Sequence, residues 1–86
     1  MRFLTIDPRC TRVRFDADTM WVELTDGRTL GVPLSYFPRL LKATAAQRRQ
    51  YIVSGGGAGL HWDKLDEDIS VRGLILGYGV HAVRRS

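Results

Sequence analysis

Cysteine is almost absent: Cys10 is the only one in 86 residues. One copy of the chain therefore holds neither an intrachain disulfide nor a zinc centre built from several thiolates. That usage suits a reducing compartment, and the expected location is the cytoplasm. Long apolar runs are also missing. No stretch approaches the ~20 residues a membrane-spanning helix needs, so no membrane association is expected. The opening Met1 to Pro8 carries one early positive charge but meets Asp7 and Pro8 before an apolar signal-peptide core can form. Catalytic and cofactor signatures are equally scarce. Ser54 and Ser70 read as turn and cap residues, no nucleophile sits beside a recognisable base, and no cofactor is expected.

What is present is a small domain. A chain of 86 residues makes one domain, 1–86, and buries only about 60 to 65% of the surface its unfolded form exposes. A homodimer, or a partner that covers more apolar area, suits that size. The net charge is +4, from 13 basic and nine acidic residues. Its distribution is uneven, because Asp63, Asp66, Glu67 and Asp68 fall within one short segment. Arginine supplies most of the positive charge, and its planar fork suits carboxylates and phosphates.

The organisation reads as α+β, with a small antiparallel sheet of hairpins packed against two or three short helices. Arg12 to Asp16 and Met20 to Thr25 alternate polar and apolar residues, as half-buried strands do. Asp26-Gly27 predicts a two-residue type I′ turn into a third strand, Arg28 to Val32, which Pro33 ends. Ser35 is placed to cap a helix from Tyr36 to Ala43, with Phe37, Leu40 and Leu41 facing the core. Thr44 and Gln47 have capping-box spacing, predicting a helix over 45–50. Tyr51 to Val53 and Leu60 to Trp62 flank a glycine-rich turn and predict a second hairpin, joined to the first in one sheet. Ser70 caps a last helix from Val71 to Leu76. The tail, 78–86, has little to hold it and is expected to fray.

Gly55-Gly56-Gly57-Ala58-Gly59 is too glycine-rich to ignore, yet it leads into Leu60-His61-Trp62 rather than a helix. A phosphate loop needs helix amides facing the anion, so a hairpin turn is the better reading. His61, beside Asp66 and Asp68, is one imidazole among carboxylates. That is short of a spaced metal-ligand set, and a hydrogen bond to a nearby carboxylate suits it better, with no metal expected. Trp62 suits a core anchor or an interface hot spot. Asp66-Glu67-Asp68 suits a solvated approach to the last helix or a docking surface for a basic protein.

The His61-Trp62 pair, followed by Leu65-Asp66-Glu67-Asp68-Ile69-Ser70-Val71, stands behind Asp26-Gly27-Arg28, Pro33-Leu34, Phe37-Pro38-Arg39-Leu40-Leu41 and Ala43-Thr44. In that order these blocks resemble the small bacterial proteins grouped as domain of unknown function 2442, over about 12–77. The resemblance implies a bacterial α+β domain, in many members encoded beside another small protein. Tyr51, Arg72 and Leu76 depart from the residues commonest there, and Arg72 reverses a charge close to the acidic triplet.

Together these readings describe a protein-interaction or antitoxin-like module rather than an enzyme. Its partner would be a basic, toxin-like protein encoded nearby, met by His61, Trp62, Asp66, Glu67 and Asp68. The alternative is a nucleic-acid-binding regulatory module using Arg39, Lys42, Arg48 and Arg49 as its basic surface.

Overall fold

The computed structural model of the chain describes residues 8–77; the expected fraying of 78–86 lies outside them. The fold is α+β: two small antiparallel three-stranded sheets and three short helices. The first sheet holds β1 (Cys10–Phe15), β2 (Thr19–Leu24) and β3 (Thr29–Pro33), in that order. Along β2, Met20, Val22 and Leu24 are buried at every second position, the period a half-buried strand demands. β1 begins two residues earlier than its alternation suggests. Cys10 opposes Leu24 and Arg12 opposes Glu23, so Thr11 is an extra residue and the strand bulges there. The bulge turns both Cys10 and Val13 inward despite their odd spacing. Burial pushes the Cys10 thiol pKa up.

The turn at Asp26-Gly27 forms, but with three loop residues rather than two. Gly27 donates to the Leu24 carbonyl and Leu24 to that of Arg28, and only Gly27 has positive φ, at 92°. This is a type I turn closed by a left-handed glycine. The Asp26 side chain fits it by accepting from the Arg28 amide at 3.1 Å, an Asx contact that leaves Asp26 in an ordinary conformation.

After β3, a 3-10 turn over Leu34–Tyr36 replaces the first turn of the expected helix. Helix α1 is Pro38–Leu41, entered from Phe37, so Ser35 does not cap it. One turn cannot bury two adjacent residues that point about 100° apart. Leu40 is fully buried while Leu41 remains 43% exposed. The predicted capping box is present at α2, Ala45–Arg48, two residues shorter than expected. Thr44 Oγ1 accepts from the Gln47 amide at 3.1 Å, and Gln47 Oε1 accepts from the Thr44 amide at 2.9 Å.

The second sheet joins β4 (Ile52–Ser54), β5 (Gly59–Trp62) and β6 (Glu67–Ser70). The two hairpins do not merge into one sheet. At the edge of β1 the Tyr51 hydroxyl accepts the outward Val13 amide at 3.2 Å. The sheets share a core instead. Val13, Met20 and Val22 from the first and Leu60, Trp62 and Ile69 from the second belong to one buried cluster with Leu34, Leu40, Val71 and Leu74.

The glycine run is the β4–β5 turn. Gly55, Gly56 and Gly57 all take positive φ, and a Cβ on Gly57 would lie 2.8 Å from the Cys10 carbonyl oxygen. That turn seats against the start of β1, where Arg9 Nη1 donates to the Gly55 carbonyl at 2.9 Å. Helix α3, Val71–Leu76, matches its expected bounds. Ser70 Oγ accepts from the Gly73 amide at 3.1 Å, and Gly77 closes the helix at φ 83°.

Candidate functional site

Two charged surfaces stand out. The first is built on β5, β6 and the turn between them. Antiparallel register places His61 opposite Asp68 and Trp62 opposite Glu67. Glu67 and Asp68 therefore lie on a strand that leads directly into α3, and Asp66 lies in the turn before it. Asp66 makes the return possible by adopting φ 53°, a conformation that aspartate tolerates better than most residues. Asp68 turns across the strand pair to the imidazole.

His61 Nδ1 lies 2.6 Å from Asp68 Oδ1, and its Nε2 lies 2.6 Å from Asp63 Oδ1. A neutral ring has one N–H and would face the second carboxylate with a lone pair. Two carboxylate contacts therefore call for the imidazolium. The bonds to Asp68 first, and to Asp63 second, raise the His61 pKa above its usual 6.5. Asp63 is the member that sequence reasoning missed. The signal was its position two residues beyond His61, just past the end of β5.

Asp66 leans outward with its side chain 94% exposed, while Asp63 and Asp68 are 72% and 80% exposed. Arg39, from α1, donates to the Asp66 carbonyl and lies 4.0 Å from its carboxylate. This basic residue therefore belongs with the acids. Arg39, and His61 when protonated, partly neutralise the patch, so its field is weaker than four clustered acids alone suggest.

Trp62 resolves differently from the role of partner anchor. It is 1% exposed, its Nε1 donates to the Arg48 carbonyl at 3.0 Å, and its ring meets Tyr51 at a centroid distance of 6.5 Å. It is a core side chain. Its alternation with His61 along β5 is the reason: one of the pair must face inward.

The second surface is a groove of about 490 Å³ between β1 and α2. Arg12, Arg14, Arg48 and Arg49 line it together with Val13 and Phe15. Arg48 is committed in part, since its Nε and Nη2 each donate at 2.8 Å to the Leu40 and Leu41 carbonyls and cap α1. Arg14 pairs with Glu23 at 2.8 Å. Lys42 is exposed but does not line the groove. The expected surface is thus divided: Arg39 lies with the acids, Arg48 and Arg49 line the groove, and Lys42 is joined to neither. Arg12 and Arg14 were legible as two residues on one face of a strand, i and i+2.

Among the described residues no helix is long and apolar enough to cross a membrane. No curated protein matches the sequence. Two solved structures do resemble it. A protein of unknown function from Rhodospirillum rubrum is 34% identical with a TM-score of 0.73, over 84% of this chain and 89% of that one. An uncharacterized protein from Chromobacterium violaceum, at 23% identity, shares the fold with a TM-score of 0.70, over 90% of this chain and 76% of that one. The strand pair carrying His61, Asp66 and Asp68 lies inside residues 10–79, which match the family model "Protein of unknown function (DUF2442)", and the chain belongs to that family.

Proposed function

We propose that this domain is a protein-interaction module, antitoxin-like in its mode of action. Its acidic β5–β6 turn would dock on a basic partner encoded nearby. The observation that carries this reading is a set of exposed carboxylates on one turn: Asp66 projects most fully, Asp63 and Asp68 are anchored by their contacts to the His61 ring yet stay exposed, and Arg39 bonds the Asp66 carbonyl. Preorganised charge costs little ordering on association and sets partner choice through complementarity. If the partner binds nucleic acid, these carboxylates would compete for its cationic site.

Partial neutralisation makes this a short-range recognition surface more than a long-range attractor. Buried Trp62 contributes by supporting β5, not by touching the partner. The nucleic-acid alternative has lost part of its basis, since the Arg39 guanidinium bonds the β5–β6 turn and that of Arg48 caps α1.

Co-expression with the neighbouring gene product, followed by affinity purification, tests the reading. The wild-type chain should retain that protein. Asp66→Lys, which alters a side chain 94% exposed, should slow association and flatten its salt dependence without unfolding the domain. Retention that is unchanged by reversing Asp66, Glu67 and Asp68 together would remove the acidic turn from the interface.

A further inference from the structure

The groove between β1 and α2 is a different surface from the acidic turn, and its composition is not explained by folding. β1 is the outermost strand of its sheet, so one side of its backbone has no strand partner. In an antiparallel ladder alternate residues direct their amide and carbonyl away from the neighbouring strand. Val13 is such a residue, since its amide goes to the Tyr51 hydroxyl, and Phe15 two positions on turns the same way. Five consecutive residues, 12–16, line the groove along the strand. Opposite them stand Arg48 and Arg49 from the end of α2.

We propose that this groove binds an extended acidic segment of another polypeptide, laid beside β1. Backbone bonding at Phe15 would supply the strand-like alignment, as in sheet-edge recognition of peptides. Arg12 and Arg49 would meet its carboxylates, where the guanidinium fork suits a carboxylate well, while Arg14 and Arg48, already bonded to Glu23 and to the Leu40 and Leu41 carbonyls, add positive charge to the walls. Arg12 and Arg49 are exposed and make no side-chain bond or ion pair with the described residues, so their charge is available.

The same lining favours a peptide over a nucleic acid. Asp16 closes one end, with its carboxylate held by the Trp21 Nε1 at 2.9 Å and the Thr19 amide at 3.1 Å. A phosphodiester backbone running through the groove would meet that fixed negative charge. A peptide can present an N–H to it. Trp21, the nearby large aromatic, is tied down by that same bond rather than offered for base stacking.

The test uses the full chain and a fluorescein-labelled peptide alternating glutamate and valine, with an oligothymidylate of equal length as the comparison. Fluorescence anisotropy should show saturable peptide binding that weakens with salt. Arg12→Ala combined with Arg49→Ala should raise the dissociation constant about tenfold or more, while Lys64→Ala, at the other surface, should leave it unchanged. Amide shifts on titration should appear at Val13 and Phe15 and spare Asp68. An unchanged amide spectrum elsewhere in the double variant establishes that it is folded. Three results would overturn the proposal: no saturable peptide binding, tighter binding of the oligothymidylate, or displacement of the peptide by self-association with shifts at 66–68. The last would make a second copy of this chain the occupant.

Discussion

The two sheets are of similar strand number but are specified by different means. In the first, β1 and β2 run for six residues each, and every second residue of β2 is buried. In the second, the strands have only three or four residues; β5 alternates, but β4 has no buried residue. Beside the buried Leu60, Trp62 and Ile69, a set of individual side-chain bonds holds the second in place. Trp62 reaches the Arg48 carbonyl, Arg39 reaches the Asp66 carbonyl, and His61 spans Asp63 and Asp68. Short strands gain little from repetition, so particular bonds and close contacts decide their placement. The consequence for function is that the exposed acids sit on the region whose geometry depends most on named contacts.

The largest effect is expected where the two regions meet in the core. Trp62→Ala should cost about 3 to 5 kcal/mol, and Leu40→Ala about 2 to 5, because both side chains are fully enclosed. Denaturant unfolding followed by fluorescence and circular dichroism measures each. A midpoint unmoved by either substitution would break the shared core that joins the sheets. Next comes Gly57→Ala. Its φ of 104° and the 2.8 Å approach to the Cys10 carbonyl leave no room for a methyl group, and a loss of about 1 to 3 kcal/mol is expected. Gly27→Ala makes the contrast sharper. It shares the positive φ but meets nothing within 4 Å, so only the conformational cost of about 1 kcal/mol should appear. Equal losses at the two glycines would mean that the β4–β5 turn does not press on β1.

The regions also differ in how much of them can be read from the chain. Met20, Val22 and Leu24 declare the first sheet through alternation, and Thr44 with Gln47 and Ser70 with Gly73 declare two helix starts through capping chemistry. β6 was not legible. Asp66-Glu67-Asp68 has poor strand propensity, and its pairing comes from a left-handed Asp66 and a cross-strand contact to His61 that no local pattern contains. The separation of the sheets is likewise tertiary, and no local pattern contains it. Of the acidic surface, His61, Asp66 and Asp68 were identifiable from their clustering, while Asp63 depended on where β5 stops. Of the basic groove, Arg48 and Arg49 were visible as a pair. Their meeting with Arg12 and Arg14 is tertiary, set by the packing of α2 beside β1.

The smallest expected effect on stability is also the one most specific to the second sheet. His61 has a folded pKa raised above the unfolded 6.5 by Asp68 and Asp63. Its contribution is therefore complete below about pH 6.5 and is lost as pH rises through the higher folded value. The first sheet should not sense that change: Asp16, whose bond to Trp21 lowers its pKa, contributes above its unfolded 3.8 and loses that contribution only in acid. Raising the pH through the His61 transition should thus loosen the β5–β6 turn selectively, with amide shifts at Asp63, Asp66 and Asp68 and little change at Val22.

The central claim is that bonds centred on His61, more than strand pattern, fix the turn that displays the acids. Nitrogen-detected titration of the His61 ring, followed together with the Asp63 and Asp68 amides, tests it most directly. The account predicts an imidazolium protonated on both nitrogens at pH 6.5, a ring pKa above that value, and the two aspartate amides titrating with the ring. A ring pKa at or below 6.5, with Asp63 and Asp68 unaffected by its titration, would contradict it.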